Sequence, residues 1–227
     1  MKNKLYKNSF IRSIRWYKTI LISYNVVCIN LFSIKINDKN FKNADIKYRI
    51  LQNEDIPNLL KFHDECCVSW NYLFDKNELK ERIKNRHKCF IALDGDDICA
   101  MYWLGIDNIY SPDLKCTFFF DKDIVVSYNA FVSNEYRGRN IFPDLRKFAF
   151  DYMWAQQYRY AFGYSLKTNT PVNESNKKFN VNYVGTIKYG FLLGFYYLKP
   201  CIDNDFNINV VKNVSAYYVW KKFLERI

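Results

Sequence analysis

The stretch from Ile124 to Lys147 constrains the fold more than any other part of the chain. IVVSYNAFV is rich in β-branched and aromatic residues and predicts a strand from Ile124 to Val132. The polar run SNEYRGRN follows, with Gly138 between Arg137 and Arg139. FPDLRKFAFDYMWAQQ then predicts a helix, because Leu145, Phe148, Ala149 and Tyr152 fall on one face and Pro143 sits in the first turn. Strand, glycine turn and helix in immediate succession build an α/β layer. The first helical turn offers unpaired N–H groups and the positive end of the helix dipole. With two arginines beside it, this turn reads as an anion cradle. An ordinary βα turn with two surface arginines fits the same residues.

The rest of the body supplies partners for that layer. YRILQNEDIPNLLKFHDEC reads as a short strand, a polar break and an amphipathic helix, and NELKERIKNRH as a second helix. HKCFIALDGDDICAMYWLGID reads as a hairpin turning at Asp94–Asp97. A strand at about Tyr160–Leu166, a polar helical stretch and the run VGTIKYGFLLGFYYLKP complete the order β-α-α-β-β-β-α-β-α-β-β. Composition agrees, with 49% hydrophobic, 19% aromatic and 25% charged residues in 227. Seven cysteines, odd in number, without CxxC and mostly inside apolar runs, argue for reduced thiols in a cytoplasmic protein. Only His63 and His87 are present, at no metal-ligand spacing, so no metal site is expected.

The run V-S-N-E-Y-R-G-R-N-I-F, Val132 to Phe142, resembles the turn motif of the GNAT (Gcn5-related N-acetyltransferase) superfamily. The element order and the ILQNEDIPNLLKF start are similar to that family too, over about residues 46–200. The resemblance implies an α/β fold with a mixed, mostly antiparallel central sheet flanked by helices. The domain division that follows is residues 46–227 for the acyltransferase domain and 1–45 for a basic helix-strand extension outside it. It implies acetyl-CoA or another acyl-CoA as co-substrate, held by Phe131, Val132, Arg137, Gly138, Arg139, Asn140, Ile141 and Phe142, and direct attack by an amine acceptor. The sequence departs from the family at Asn140 and Phe142, where small residues are common. Asn176 stands where a general-acid Tyr often lies, and the strand has Ser127, Tyr128 and Asn129 where some members keep a glutamate. Tyr128 and Tyr183 are therefore the candidate catalytic groups, and Glu65, Trp70 and Tyr72 the candidate acceptor contacts. A non-catalytic acyl-CoA-binding module is the alternative that these departures leave open.

Charge is concentrated at the N-terminus. Residues 1–50 hold eleven Lys and Arg against two acidic residues, while the remaining chain holds twenty-three against twenty-one. On a helix, Tyr6, Phe10, Ile14, Tyr17 and Leu21 share a face beside a basic side, a pattern suited to an anionic membrane surface or to docking on the domain. Residues 1–25 are thus expected to touch the inner membrane face peripherally, which also raises the alternative of a membrane-binding protein without catalysis. Lys18 and Lys35 bracket sixteen uncharged residues, short of the roughly 20 a span needs, and VVCINLFSIKI reads as a strand. The near-neutral body argues against a nucleic-acid partner. The expected acceptor is a small-molecule or glycan- or lipid-linked amine.

Overall fold

The computed structural model describes residues 22–35, 43–67, 76–106, 108–111, 113–179, 181–192, 195–203, 205 and 208–212. The basic helix read over residues 5–22 lies outside the described residues, save its last position. An eight-stranded sheet forms the frame, from β1 (Ile22–Ser33), β2 (Lys47–Ile50), β3 (Lys88–Asp94), β4 (Asp97–Ile106), β7 (Ile124–Val132), β8 (Tyr160–Leu166), β9 (Val181–Leu192) and β10 (Phe195–Ile202). Its order is β10-β9-β1-β8-β7-β4-β3-β2, antiparallel throughout except for β7 against β8. A second sheet joins β5 (Ile109–Ser111), β6 (Cys116–Phe119) and β11 (Asn209–Lys212), three short strands that periodicity did not reveal.

Helices α1 (Ile56–Cys67) and α2 (Lys76–Lys84) cover one face of the large sheet, through Leu59, Phe62 and Leu79 against Ile91, Met101 and Trp103. On the same face the small sheet packs Cys116 and Phe118 onto Val126 and Phe162. Helices α3 (Ile141–Ala155) and α4 (Thr170–Lys177) cover the other face. There Ile141, Leu145, Ala149, Phe150 and Met153 repeat at helical spacing over Phe90, Ala100 and Tyr102. The start of α3 is fixed by buried Asp144, which accepts hydrogen bonds from Asn43 N–H, Asn43 Nδ2 (2.9 Å) and the Tyr48 phenol.

The structure corrects the place of residues 22–35. Read as an extension outside the domain, they form the strand between β8 and β9, paired on both edges. The pattern explains it. Val27, Ile29 and Leu31 face the small sheet, Phe32 and Ile34 face α3, and all five are 2% exposed or less. A strand apolar on both faces belongs in the interior of a sheet. The uncharged run is a central strand, not a membrane span, and a domain boundary at residue 45 would cut through the sheet.

Candidate functional site

The site begins where two neighbouring strands part. β7 and β8 pair only at Ile124–Tyr160, Val125–Ala161 and Val126–Phe162. Beyond that point β7 continues along β4 and β8 along β1. Their facing edges, residues 127–132 and 163–166, then line a cleft of about 1640 Å³. A bulge sharpens the parting: Tyr102 pairs with Ala130 and Trp103 with Tyr128, which leaves Asn129 extra at φ +43°. A Cβ at Gly163 would come into ordinary van der Waals contact with Phe32 and Ser127, at 3.4 and 3.6 Å.

At the α3 end of the cleft the chain turns through Gly138 at φ +79° and Asn140 at φ +60° before entering the helix. Asparagine is among the few side chains that accept the left-handed conformation, so Asn140 does here what glycine does in the family motif. Asn140 makes no capping hydrogen bond. The first N–H groups of α3 and the positive end of its dipole are therefore left for an outside anion. A Cβ on Gly138 would meet nothing within 4 Å, so open space lies over the turn. Arg137, Gly138, Asn140, Ile141 and Phe142 line the cleft with Phe131 and Val132. Arg139 does not; it stacks on the Tyr136 ring at 5.1 Å.

Deeper in, the cleft meets Arg146, a residue that no sequence pattern singles out. Its side chain is 4% exposed, yet it lines the cleft. Nη1 donates to Asn176 Oδ1 at 3.0 Å, while Nε has no hydrogen-bond partner. Rings of Phe142, Phe179 and Phe32 lie 4.5, 4.7 and 5.1 Å from the guanidinium carbon. Burial pulls this guanidinium below the ordinary arginine value, with the Tyr102 phenol opposing. Tyr102 in turn donates to Ser127 Oγ at 2.8 Å, at the edge of the gap. Asn176 is thus an amide holding Arg146.

On the α1–α2 face the cleft is closed by Tyr128, whose ring stacks on Trp103 at 6.3 Å. His87 Nδ1 lies 2.5 Å from the Tyr128 hydroxyl. The Arg82 guanidinium lies over both rings of the stack, 5.1 Å from each, and is held by Glu78 at 2.6 Å. Gly105 makes the close approach possible, because a Cβ there would meet Ile109 Cδ1 at 2.6 Å and Tyr128 Cε1 at 3.2 Å. Glu78, Glu81 and Asp113 also line this side, and burial raises the Asp113 carboxyl above its ordinary value.

Of the other predicted site residues, Tyr183 is 61% exposed on β9 and does not line the cleft, which removes it from the catalytic candidates. The β9 register turns its neighbour Val184 into the core instead. Glu65 is exposed on α1 and off the cleft, and Trp70 and Tyr72 lie outside the described residues. Among the described residues no group of three or more His, Cys, Asp or Glu is placed to hold a metal, and no helix is long and apolar enough to cross a membrane.

No protein-family model matches the sequence, and no curated protein does. Solved structures do. An acetyltransferase assigned to the GNAT family from Novosphingobium aromaticivorans superposes at TM-score 0.51 and 12% identity, over 74% of this chain and 64% of that one. A GCN5-related glucosamine N-acetyltransferase region of a fungal multi-domain β-N-acetylglucosaminidase superposes at TM-score 0.53 and 12% identity, over 80% and 22%. A functionally unknown conserved protein from Staphylococcus epidermidis gives 0.52 and 10%, over 88% and 67%. The chain thus spans under two thirds of the first two. It has the GNAT fold, with a mixed, mostly antiparallel sheet flanked by helices.

Proposed function

We propose that the protein is an acyl-CoA-dependent N-acyltransferase that acylates a primary amine, an amino sugar being the favoured acceptor class. The observation that carries the reading is the continuity of one cleft. It runs from an uncapped helix N-terminus on the α3 face, between two unpaired strand edges, to Tyr128 on the opposite face. The residues fit a long ligand with an anionic end. The turn from Arg137 to Phe142 would hold the pyrophosphate by backbone N–H groups and the helix dipole. The free edge of β7 at Phe131 and Val132 would pair with the amides of the pantetheine arm, and Arg146 lines the same passage.

The co-substrate supplies an activated thioester. The protein's share is to bind, orient and move protons. Holding both reactants in one cleft supplies effective molarities of about 10⁵ M or more for well-aligned groups. Glu78, Glu81 and Asp113 give the acceptor side carboxylates that suit an ammonium group, and Tyr110 and Tyr189 add rings suited to a sugar. The fungal neighbour's glucosamine acetylation agrees with that choice.

Thermal unfolding with acetyl-CoA tests this. A ligand at about 100 times its Kd adds roughly 2.7 kcal/mol, a rise of several degrees for a domain of this size. The expected result is a rise that an inert polyanion does not reproduce and that Gly138→Glu abolishes, since a carboxylate would then stand in the cradle. A folded protein with no rise would overturn the reading.

A further inference from the structure

The pair formed by His87 and Tyr128 stands on the wall of the cleft, with the Tyr128 ring packed on the core beneath it. Its two members come from different segments, the turn before β3 and the bulge of β7, and meet at 2.5 Å on the wall of the cleft. Tyr128 is the last β7 residue before the bulge, beside the gap between β7 and β8. Everything around the pair fixes it in place. Trp103 stacks beneath Tyr128, Arg82 lies over both rings, and Gly105 leaves room for His87 Cε1 and Tyr128 Cε1 together. A phenol alone is a poor reservoir of protons near neutral pH, because its ordinary value is about 10. An imidazole in contact supplies the missing proton traffic, since its ordinary value is about 6.5.

We infer that His87 and Tyr128 form the proton relay of the acyl transfer, an inference that rests on the acyltransferase reading above. Neutral His87 takes one proton from the acceptor ammonium by way of the Tyr128 hydroxyl, and the amine nitrogen becomes free to attack. The new C–N bond forms at the acyl carbon as the C–S bond breaks. Tyr128 donates its phenolic proton to the departing sulfur and is reprotonated by the His87 imidazolium. The second nitrogen proton passes to water, so one ammonium and one thioester give one amide, one thiol and one proton. Tyr128 is the catalytic group, and His87 acts through it as the positioning and recharging residue.

Among the described residues, α2 and the turn before β3 bring charged groups to the pair, and α1 packs on β7 through an apolar face. α2 contributes Arg82 and its partner Glu78, with Glu81 and Lys84 further along the cleft wall. The turn before β3 contributes Arg86. The β4–β5 side contributes Gly105 and Ile109, which carry no charge. Arg82 thus opposes protonation of the pair and Glu78 moderates it.

The test uses full-length protein with acetyl-CoA, glucosamine as the probe acceptor and NMR of the imidazole ring protons. With only two histidines in the chain, loss of one signal in His87→Gln assigns both. The expected results are three. The His87 titration midpoint moves in Tyr128→Phe while that of His63 does not. Acetyl-CoA still raises the unfolding temperature of His87→Gln and Tyr128→Phe. Both variants lose about 10²–10⁴-fold in kcat with KM little changed, and His87→Gln loses the acid limb of the pH profile. An unmoved His87 midpoint in Tyr128→Phe, or wild-type kcat and pH profile in His87→Gln, overturns the relay. A wild-type protein that does not bind acetyl-CoA overturns the acyltransferase reading instead, and the titration still decides whether the two side chains are coupled.

Discussion

The two ends of the cleft are built in opposite ways. The cradle at its α3 end is local: residues 132–143 in unbroken order, acting mainly through backbone N–H groups, a left-handed Asn140 and a helix dipole. The relay at the other end is assembled from side chains 41 residues apart, locked by rings and a guanidinium from two further elements. The first tolerates substitutions that keep its backbone path. The second tolerates almost none, because each side chain sets the position of the next. A turn can therefore change its residues, as at Asn140, and keep its backbone path.

β1 runs through the middle of the sheet that carries the cleft, so its removal gives the largest effect. Deleting residues 1–35 takes away five core side chains, Val27, Ile29, Leu31, Phe32 and Ile34. At about 1.5–3 kcal/mol each this exceeds or matches the whole stability of a typical domain, about 5–15 kcal/mol. Circular dichroism and thermal melts should show no cooperative unfolding. A melting, acetyl-CoA-binding remainder would mean that the strand is dispensable.

Arg146→Met separates binding from stability. The buried guanidinium has an aromatic cage and an amide but no carboxylate among the described residues. Replacing a buried cation by an apolar side chain is often neutral or stabilising. The expected outcome is an unchanged or higher melting temperature with about tenfold weaker acetyl-CoA binding, the scale of one charge-assisted hydrogen bond. A large drop in melting temperature would make Arg146 a structural residue only. Asn140→Gly probes the cradle in the other direction. The same backbone path remains, so titration calorimetry should find acetyl-CoA affinity unchanged, with stability equal or slightly raised.

The smallest effect lies far from the cleft. Arg49, hydrogen-bonded to Asp55, holds that carboxyl below its ordinary value of 3.8, against the opposing effect of burial. A carboxyl with a depressed value in the folded protein stabilises it fully at pH above the unfolded value, and that contribution fades as pH falls through the folded one. Below about pH 4 the wild-type melting temperature should therefore fall more steeply than that of Asp55→Asn, which starts lower at neutral pH.

What could be read from the sequence follows the same division. The strand, turn and helix of residues 124–155 were legible because each signal is local: β-branched residues, a glycine, a proline in the first helical turn. The hairpin at Asp94–Asp97 was legible for the same reason. β1 was legible as a strand but not as a central one, since its partners lie more than 120 residues away. Tyr128 could be placed on the cleft side through the strand that carries it, whereas the outward side of Tyr183 depends on a bulge near Val184. His87 gave no signal at all; only the meeting of two separated segments makes it part of a site. Arg146 was hidden by its type, because an arginine in a helix is ordinarily solvated.

The most direct measurement asks whether one ligand joins the two ends. The ring-proton signal of His87 should be followed while either 3′,5′-ADP or acetyl-CoA is added, with amide signals of residues 137–142 as the control. The account predicts that both ligands move the cradle amides, and that acetyl-CoA alone moves His87, because only it is long enough to pass between β7 and β8. If acetyl-CoA saturates the cradle and leaves His87 unmoved, the passage does not carry the thioester to Tyr128, and the account is wrong.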